Sequence, residues 1–124
     1  MKQSWLYSVS YALQGILEAF NSERNLRIHF SVALLALLAA VICQINYLEL
    51  ALVIFAIGLV IVAELLNTAI EKTIDLFQPT YHPLAKTAKN VAAGAVLVAT
   101  FTSVMIGILV FGPYLLSMYS EIFM

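Results

Sequence analysis

The chain has 124 residues, of which 63% are hydrophobic and 10% are charged, and its formal net charge is −1. A soluble domain of this size could not cover so much apolar side chain, whereas lipid can, so the composition predicts one membrane-embedded domain, residues 1–124. The small net charge gives no electrostatic reason to expect a nucleic-acid partner. The single cysteine, Cys43, excludes an intramolecular disulfide and a cysteine-based zinc site.

The first predicted element is an amphipathic helix over about residues 4–22. Its apolar residues recur at three- and four-residue intervals, which is the stripe of a helix: Trp5, Leu6, Val9, Ala12, Leu13, Ile16, Leu17 and Phe20. Such a helix would lie flat in the membrane interface with Trp5 as an anchor. The alternative, that the helix only packs on the bundle, stays open. Residues 1–27 lack a short apolar core before a small-residue cleavage site, so no cleaved signal peptide is expected.

Three longer apolar stretches follow, at about residues 28–45, 48–70 and 91–119. Each is near the ~20 residues that a helix needs to cross a bilayer. A helix is also the only open-ended element that satisfies its own backbone hydrogen bonds in lipid. The predicted fold is therefore an all-α membrane protein with three transmembrane helices and an N-terminal surface helix.

The basic residues predict the orientation of these spans. All six lie before the first span or between the second and the third, and the connection at residues 44–49 and the tail beyond Gly112 have none: Lys2, Arg24, Arg27, Lys72, Lys86 and Lys89. The positive-inside rule therefore places the N-terminus and the loop at residues 72–89 in the cytoplasm, with the C-terminus outside.

A seam of small residues marks the start of the third span: Ala85, Ala88, Ala92, Ala95 and Ala99. Small residues let helix backbones approach closely inside a membrane, although the seam does not say whether the partner helix belongs to the same chain. Because three spans bury little on their own, we expect a homo-oligomer.

The second span carries a polar stripe at its cytoplasmic end. At about 100° per residue, Glu71 and Asp75 fall about 20° to either side of Glu64, and Asn67 and Thr68 lie within about 60° of it. A carboxylate at the depth of Glu64 costs several kcal/mol unless it is paired, hydrated or protonated. These polar residues either join helices through hydrogen bonds and reach towards the interface, or they form a functional site.

As a site, the stripe suggests two roles for its carboxylates. Glu71, nearer to water, can hold Mg²⁺, which prefers oxygen ligands and often uses one or two carboxylates. Glu64, deeper in the membrane, can accept a proton from a hydroxyl. Glu23, at a similar depth to Glu71, is a candidate second ligand. Alternatively, Ser22 caps the first span and Glu23 belongs to its first turn, where the helix dipole favours acidic residues.

The predicted loop at residues 77–83 contains two prolines and leads to Lys86 and Lys89, about 60° apart on the next helix. Lysines here mark the cytoplasmic side or contact headgroups, and Lys89 is also a plausible phosphate contact. The sequence contains neither G-x-x-x-x-G-K-[ST] nor G-x-G-x-x-G, so any nucleotide must be bound by this acidic and basic cluster.

The pattern Glu64-x-x-Asn67-Thr68-Ala69-Ile70-Glu71-x-x-Ile74-Asp75 resembles the signature of the small bacterial membrane kinases of diacylglycerol and undecaprenol. The resemblance covers nearly the whole chain. Residues 22–25, Ser-Glu-Arg-Asn, and residues 82–86, His-Pro-Leu-Ala-Lys, are similar to the Gram-positive branch of the family. That branch favours undecaprenol over diacylglycerol.

The resemblance implies a homotrimer in the bacterial cell membrane, with composite sites between subunits that transfer the γ-phosphoryl group of ATP to a lipid alcohol. It implies Glu64 as general base, Glu23 and Glu71 as Mg²⁺ ligands between the ATP phosphates, and Asn67 and Asp75 as supporting residues. It also implies ATP contacts from Tyr11, Lys89 and Asn90. The family usually has aspartate where this chain has Asn90, which keeps one acceptor oxygen but lacks the negative charge.

Two other functions compete with the kinase. A small proton-coupled transporter subunit would also use an intramembrane glutamate such as Glu64, although transporter sites favour the membrane midplane and this cluster lies at one face. An oligomerising helper protein without chemistry would need only the alanine seam, and it would leave Glu64 and Glu71 unexplained.

Overall fold

The computed structural model describes residues 4–124, and these form four helices: α1 Trp5–Ser22, α2 Arg24–Cys43, α3 Tyr47–Phe77 and α4 Pro83–Phe123. Strands are absent from this described part of the chain. Three helices, α2, α3 and α4, are long and apolar enough to cross a membrane. The predicted all-helical, three-span architecture is therefore confirmed. Lys2, one of the six cations used for the orientation, lies outside the described residues.

The helices extend beyond the apolar stretches that revealed them. The apolar stretches at about residues 48–70 and 91–119 cover only part of α3, which reaches Phe77, and of α4, which runs from Pro83 to Phe123. Hydropathy marks only the part of a helix that matches lipid, whereas the backbone hydrogen bonds continue through polar turns. The polar stripe at the end of α3 is consequently helical along its whole length.

The chain turns sharply between α1 and α2. Glu23 is extended, with φ −109° and ψ 113°, and it separates the two helices. The Arg27 guanidinium donates hydrogen bonds to the carbonyl oxygens of Phe20 (2.9 Å) and Asn21 (2.8 Å). The rings of Phe20 and Phe30 meet edge to face with centroids 5.5 Å apart. These contacts join the end of α1 to the first turns of α2.

The connection between α2 and α3 is short and closely hydrogen-bonded. Gln44 ends α2 in the left-handed conformation (φ 51°). Asn46 and Glu49 then form a capping box at the start of α3, since each side chain accepts the backbone N–H of the other. Tyr114 of α4 donates a hydrogen bond to Glu49 (2.7 Å), so one carboxylate caps α3 and holds α4.

The loop between α3 and α4 is also defined by its sequence. Pro79 follows the last turn of α3, where proline prevents the helix from continuing. The Nδ1 atom of His82 accepts a hydrogen bond from the Leu84 N–H (3.1 Å) and caps α4. Pro83 occupies the first turn of α4, where its missing N–H costs nothing.

α3 lies at the centre of the bundle, with contacts to the other three helices and its most extensive interface with α4. Its buried residues form one stripe that starts apolar and becomes polar towards the loop: Val53, Ala56, Val60, Glu64 and Thr68. Two members of the alanine seam, Ala92 and Ala99, are buried within the chain, whereas Ala88 and Ala95 are exposed. Part of the seam thus packs inside the subunit and part remains available.

Candidate functional site

Glu64 is the most deeply buried carboxylate of the described residues, with 3% of its surface exposed. It occupies the core stripe of α3, where Val60 precedes it by one turn. The Nε2 atom of His29, on α2, lies 3.1 Å from its Oε1 atom. An ionised carboxylate can only accept hydrogen bonds, so Nε2 is the donor when Glu64 is charged. The pair offsets part of the cost of burying the charge.

Thr68 and Asn67 continue the polar stripe one turn towards the loop. Thr68 is 5% exposed, and it lines a cavity between α1 and α3 together with Ala19 and Lys72. Asn67 is half-buried, and its Oδ1 atom is buried without a hydrogen-bond partner among residues 4–124. An acceptor in this state is costly unless another group reaches it. Asn67 therefore offers an uncommitted oxygen beside Glu64.

Glu23 and Glu71 differ from the other three carboxylates at this end of the molecule. Glu18, Glu64 and Asp75 each have a cationic or imidazole partner. Within the described range, the Glu23 and Glu71 side chains have neither an ion pair nor a hydrogen bond, and both are half-buried. Half-buried, unpaired carboxylates are suited to bind a cation from outside the chain.

The described part of this chain does not form a complete protein cage for a metal. Residues 4–124 contain no group of three or more His, Cys, Asp or Glu side chains that could hold a metal ion. Mg²⁺ does not require such a cage, because it commonly keeps water and binds one or two carboxylates together with substrate phosphates. The donor chemistry of Glu23 and Glu71 fits that mode of binding.

Asp75 and Lys89 are brought together across the loop that joins α3 to α4. Their side chains form an ion pair that connects the last turns of α3 to the second turn of α4. Both residues line a polar cavity of about 290 Å³, along with Asn90 and Lys86. The sequence placed Lys89 in the same layer as Asp75, and the resemblance implied an ATP contact from Asn90; the structure shows all three around one cavity.

Tyr11 stands apart from these groups. It lies on α1, its surface is 56% exposed, and it forms no hydrogen bond to another described residue. Further along the same helix, Glu18 pairs with Lys72 of α3 at 3.2 Å, and Ala19 is buried. The second half of α1 therefore rests against the polar end of α3, while Tyr11 projects without a partner.

An apolar cavity of about 410 Å³ lies between α2, α3 and α4, on the membrane side of the Glu64 pair. Its lining is aliphatic and aromatic apart from Thr100, Ser103 and His29. His29 is thus the one ionisable side chain on its wall. The same imidazole that holds Glu64 separates this apolar space from the carboxylate.

His29 was not predicted as a partner of Glu64, and the cap of one helix was predicted at the wrong residue. The signal for His29 was present, since it is an ionisable residue at the start of an apolar run, and such residues usually have a partner inside the protein. The interpretation that Ser22 caps the first span is wrong: Glu23 itself is the N-cap, without a side-chain capping bond, and Ser22 donates to Ala19 within α1. Because Glu23 is not in the first turn of α2, the preference of the helix dipole for acidic first-turn residues does not account for it.

Comparison with known proteins shows which family the sequence resembles. Residues 10–111 match the family model described as prokaryotic diacylglycerol kinase, and this range includes every predicted site residue. The chain is 42% identical over 108 residues to an undecaprenol kinase of Bacillus subtilis, covering 87% of this chain and 88% of that protein.

Two further relatives are diacylglycerol kinases. The one from Synechocystis is 40% identical over 114 residues, which is 91% of this chain and 65% of the relative. The one from Escherichia coli K12 is 31% identical over 98 residues, covering 79% of this chain and 80% of the relative.

Proposed function

The chain belongs to the prokaryotic diacylglycerol kinase family and is therefore a lipid kinase, and we propose that it transfers the γ-phosphoryl group of ATP to undecaprenol in preference to diacylglycerol. The preference is supported by the similarity to the undecaprenol kinase of Bacillus subtilis and by the forms of residues 22–25 and 82–86. The transporter alternative is not favoured, because the relatives are lipid kinases and the polar cluster lies at one end of the helices.

The observation that carries the proposal is the difference in burial and pairing between two carboxylates on α3. Glu64 is buried and paired, whereas Glu71, about 10 Å further along the axis at ~1.5 Å per residue, is half-buried and has no partner among residues 4–124. A lipid alcohol presents its hydroxyl at the membrane boundary, and ATP approaches from water. A proton acceptor in the apolar layer and a cation site nearer to water match the two substrates.

In the proposed reaction Glu64 accepts the proton of the lipid hydroxyl. The hydroxyl oxygen then forms a bond to the γ-phosphorus, and the bond from that phosphorus to the bridging oxygen of ADP breaks. Direct transfer of this kind depends chiefly on positioning and on charge neutralisation. Asn67, with its unpartnered oxygen one turn away, would support the substrate or the base.

Glu23 and Glu71 are the residues that would hold Mg²⁺. When bound, the ion would neutralise negative charge that develops on the phosphate oxygens of ATP. Lys89 and Asn90 line the adjacent polar cavity and would contact the nucleotide, with Asp75 holding Lys89 in place. Tyr11 would contact the nucleotide from α1.

We also propose a homotrimer with composite sites. Exposed Ala88 and Ala95 provide small-residue contacts for a second subunit, and Tyr11 has no partner within the described chain. The single domain of residues 1–124 would sit in the bacterial cell membrane with its N-terminus and the 72–89 loop in the cytoplasm. α1 would lie in the interface, since Trp5 is 71% and Leu13 56% exposed.

The purified protein tests the proposal in mixed micelles that contain either undecaprenol or diacylglycerol. Transfer of labelled γ-phosphate to each lipid is measured at equal mole fraction, with Glu64→Gln as the matched inactive control because it keeps the size and removes the base. We expect Mg²⁺-dependent formation of undecaprenyl phosphate as the faster reaction. Faster transfer to diacylglycerol would reverse the substrate assignment, and transfer to neither lipid would refute the proposal.

A further inference from the structure

The His29–Glu64 pair suggests a residue of the reaction that the sequence did not reveal. The two side chains come from different helices, α2 and α3, and their atoms approach to 3.1 Å. The side chain of Glu64 is 4% exposed and that of His29 is 20% exposed. A contact between two such enclosed groups leaves little freedom for either to turn.

His29 has few other ways to satisfy its polar atoms. Within residues 4–124 its side chain has no other polar partner than Glu64, and the cavity wall to which it belongs is apolar around it, with Val32, Ala33 and Ala36 on the same helix. The contact between Nε2 and Oε1 of Glu64 is therefore the polar contact that orients the imidazole. Through the same contact, the imidazole orients the carboxylate.

The pair also distinguishes the two oxygen atoms of Glu64. Oε1 lies 3.1 Å from Nε2 of His29, so Oε2 is the oxygen that remains for another proton. A general base works only when its free oxygen lies within hydrogen-bond reach of the proton that it removes. Fixing one oxygen to α2 gives the other a defined direction before substrate binds.

We infer that His29 is a positioning residue, which donates its Nε2–H to Oε1 of Glu64 and directs Oε2 towards the lipid hydroxyl. This inference rests on the proposed function, in which Glu64 is the general base. His29 transfers no proton in this scheme. The proton of the hydroxyl goes to Oε2 of Glu64, and the hydrogen on Nε2 stays where it is.

The chemistry of this role predicts which substitutions preserve it. The amide nitrogen of glutamine lies at the position of Nε2 in histidine and can donate to Glu64, whereas the shorter asparagine places its nitrogen at the position of Nδ1. Neither amide exchanges protons near neutral pH. His29→Gln and His29→Asn therefore form a matched pair that differs in reach rather than in polarity.

The experiment measures kcat and the KM values for ATP and undecaprenol for H29Q, H29N and H29L, together with E64Q. Ser103→Ala is the packing control, since Ser103 lines the same cavity and bonds the carbonyl of Ala56 rather than Glu64. Size-exclusion chromatography in detergent and helical circular dichroism establish that each variant is folded. H29L removes all polarity, and H29N still tests the inference if H29L does not fold.

We expect H29N and H29L to lose kcat on the order of 10- to 100-fold, the effect of misplacing a reacting group, with the KM for ATP unchanged. H29Q and S103A should keep most of the parent kcat. Parent-like turnover by H29N would overturn the inference, and so would an equal loss in H29Q and H29N, which would require the imidazole itself. E64Q tests the proposed function independently of His29. Parent-like turnover by E64Q would refute the base assignment, whereas a slow E64Q beside an active H29N would refute only the positioning role.

Discussion

The Lys89 ammonium group and the Asp75 carboxylate form an ion pair that closes the loop between α3 and α4. The pair lies on the wall of the polar cavity that also contains Asn90. A lysine held in this way is fixed in direction, although part of its charge is balanced by Asp75. A phosphate group that enters the cavity would share Lys89 with the carboxylate.

Lys89→Met is expected to raise the KM for ATP by roughly ten- to a hundredfold, because it removes a charge-assisted contact to phosphate worth ~1.5–3 kcal/mol. Asp75→Asn should raise it less, since the lysine remains and loses only its orientation. Steady-state rates at saturating lipid, with ATP varied, measure both effects.

Lys86→Met is the control for this comparison. Lys86 lines the same cavity, yet it forms no ion pair with another residue in the described range. Its removal should change the KM for ATP little. An equal rise in K86M and K89M would mean that only the summed positive charge matters, which contradicts the specific role of Lys89.

Glu23→Gln and Glu71→Gln are each expected to raise the Mg²⁺ concentration needed for half-maximal rate, by at least roughly tenfold. Neither substitution leaves a partner unpaired, because neither carboxylate has one in residues 4–124. The thermal unfolding midpoint should therefore stay at the parent value. Rates over a Mg²⁺ titration, combined with thermal unfolding in detergent, measure the two quantities.

Glu18→Gln provides the matched control for the metal variants. Glu18 lies on the same side of the molecule, but its side chain is 75% exposed and already paired with Lys72. An exposed pair contributes ~0–1 kcal/mol, so E18Q should leave both stability and Mg²⁺ dependence nearly unchanged. A Mg²⁺ shift in E18Q equal to that in E71Q would argue for a diffuse charge effect instead of direct ligands.

The sequence was sufficient to predict the helices and the shared face of α3. Helical periodicity fixes Glu64 and Glu71 relative to each other, since both belong to one rigid element. Hydropathy located three spans, and the prolines at positions 79 and 83 located the loop. Local patterns of this kind depend on neighbours along the chain, and the structure confirms the helices, the spans and the loop.

Contacts between helices could not be predicted from these local patterns. The pairing of His29 with Glu64 depends on how α2 is rotated and shifted against α3, and no periodicity within either helix determines that. Asp75 and Lys89 were placed in one layer, but their direct pairing needed the geometry of the loop. The N-cap of α2 was predicted at the wrong residue for a related reason. The turn at Glu23 depends on hydrogen bonds that Arg27 of α2 donates to carbonyl oxygens at the end of α1.

Two tyrosines allow a direct measurement of the proposed orientation. Tyr47 begins α3 and is 91% exposed, and Tyr81 lies in the loop before α4 and is 76% exposed. In a Cys43→Ala background, Y47C should react in intact cells with a maleimide that does not cross membranes, and Y81C should react only after the cells are broken. The opposite pattern would invert the topology, contrary to the distribution of basic residues.

Tyr114→Phe should lower thermal stability without changing turnover. The Tyr114 hydroxyl donates to Glu49 at 2.7 Å, and Glu49 also caps α3 through Asn46, so the substitution releases α4 from the start of α3. Glu49 precedes Glu64 by four turns, about 22 Å at ~1.5 Å per residue, so the site should be unaffected. Thermal unfolding and kinase rates in the same micelles measure the two effects.

Tyr119→Phe is the control, because Tyr119 packs on Phe123 through its ring alone. Equal unfolding midpoints for Y114F and Y119F would show that the bond to Glu49 does not stabilise the bundle, and a fall in turnover would show that the two ends of α3 are coupled.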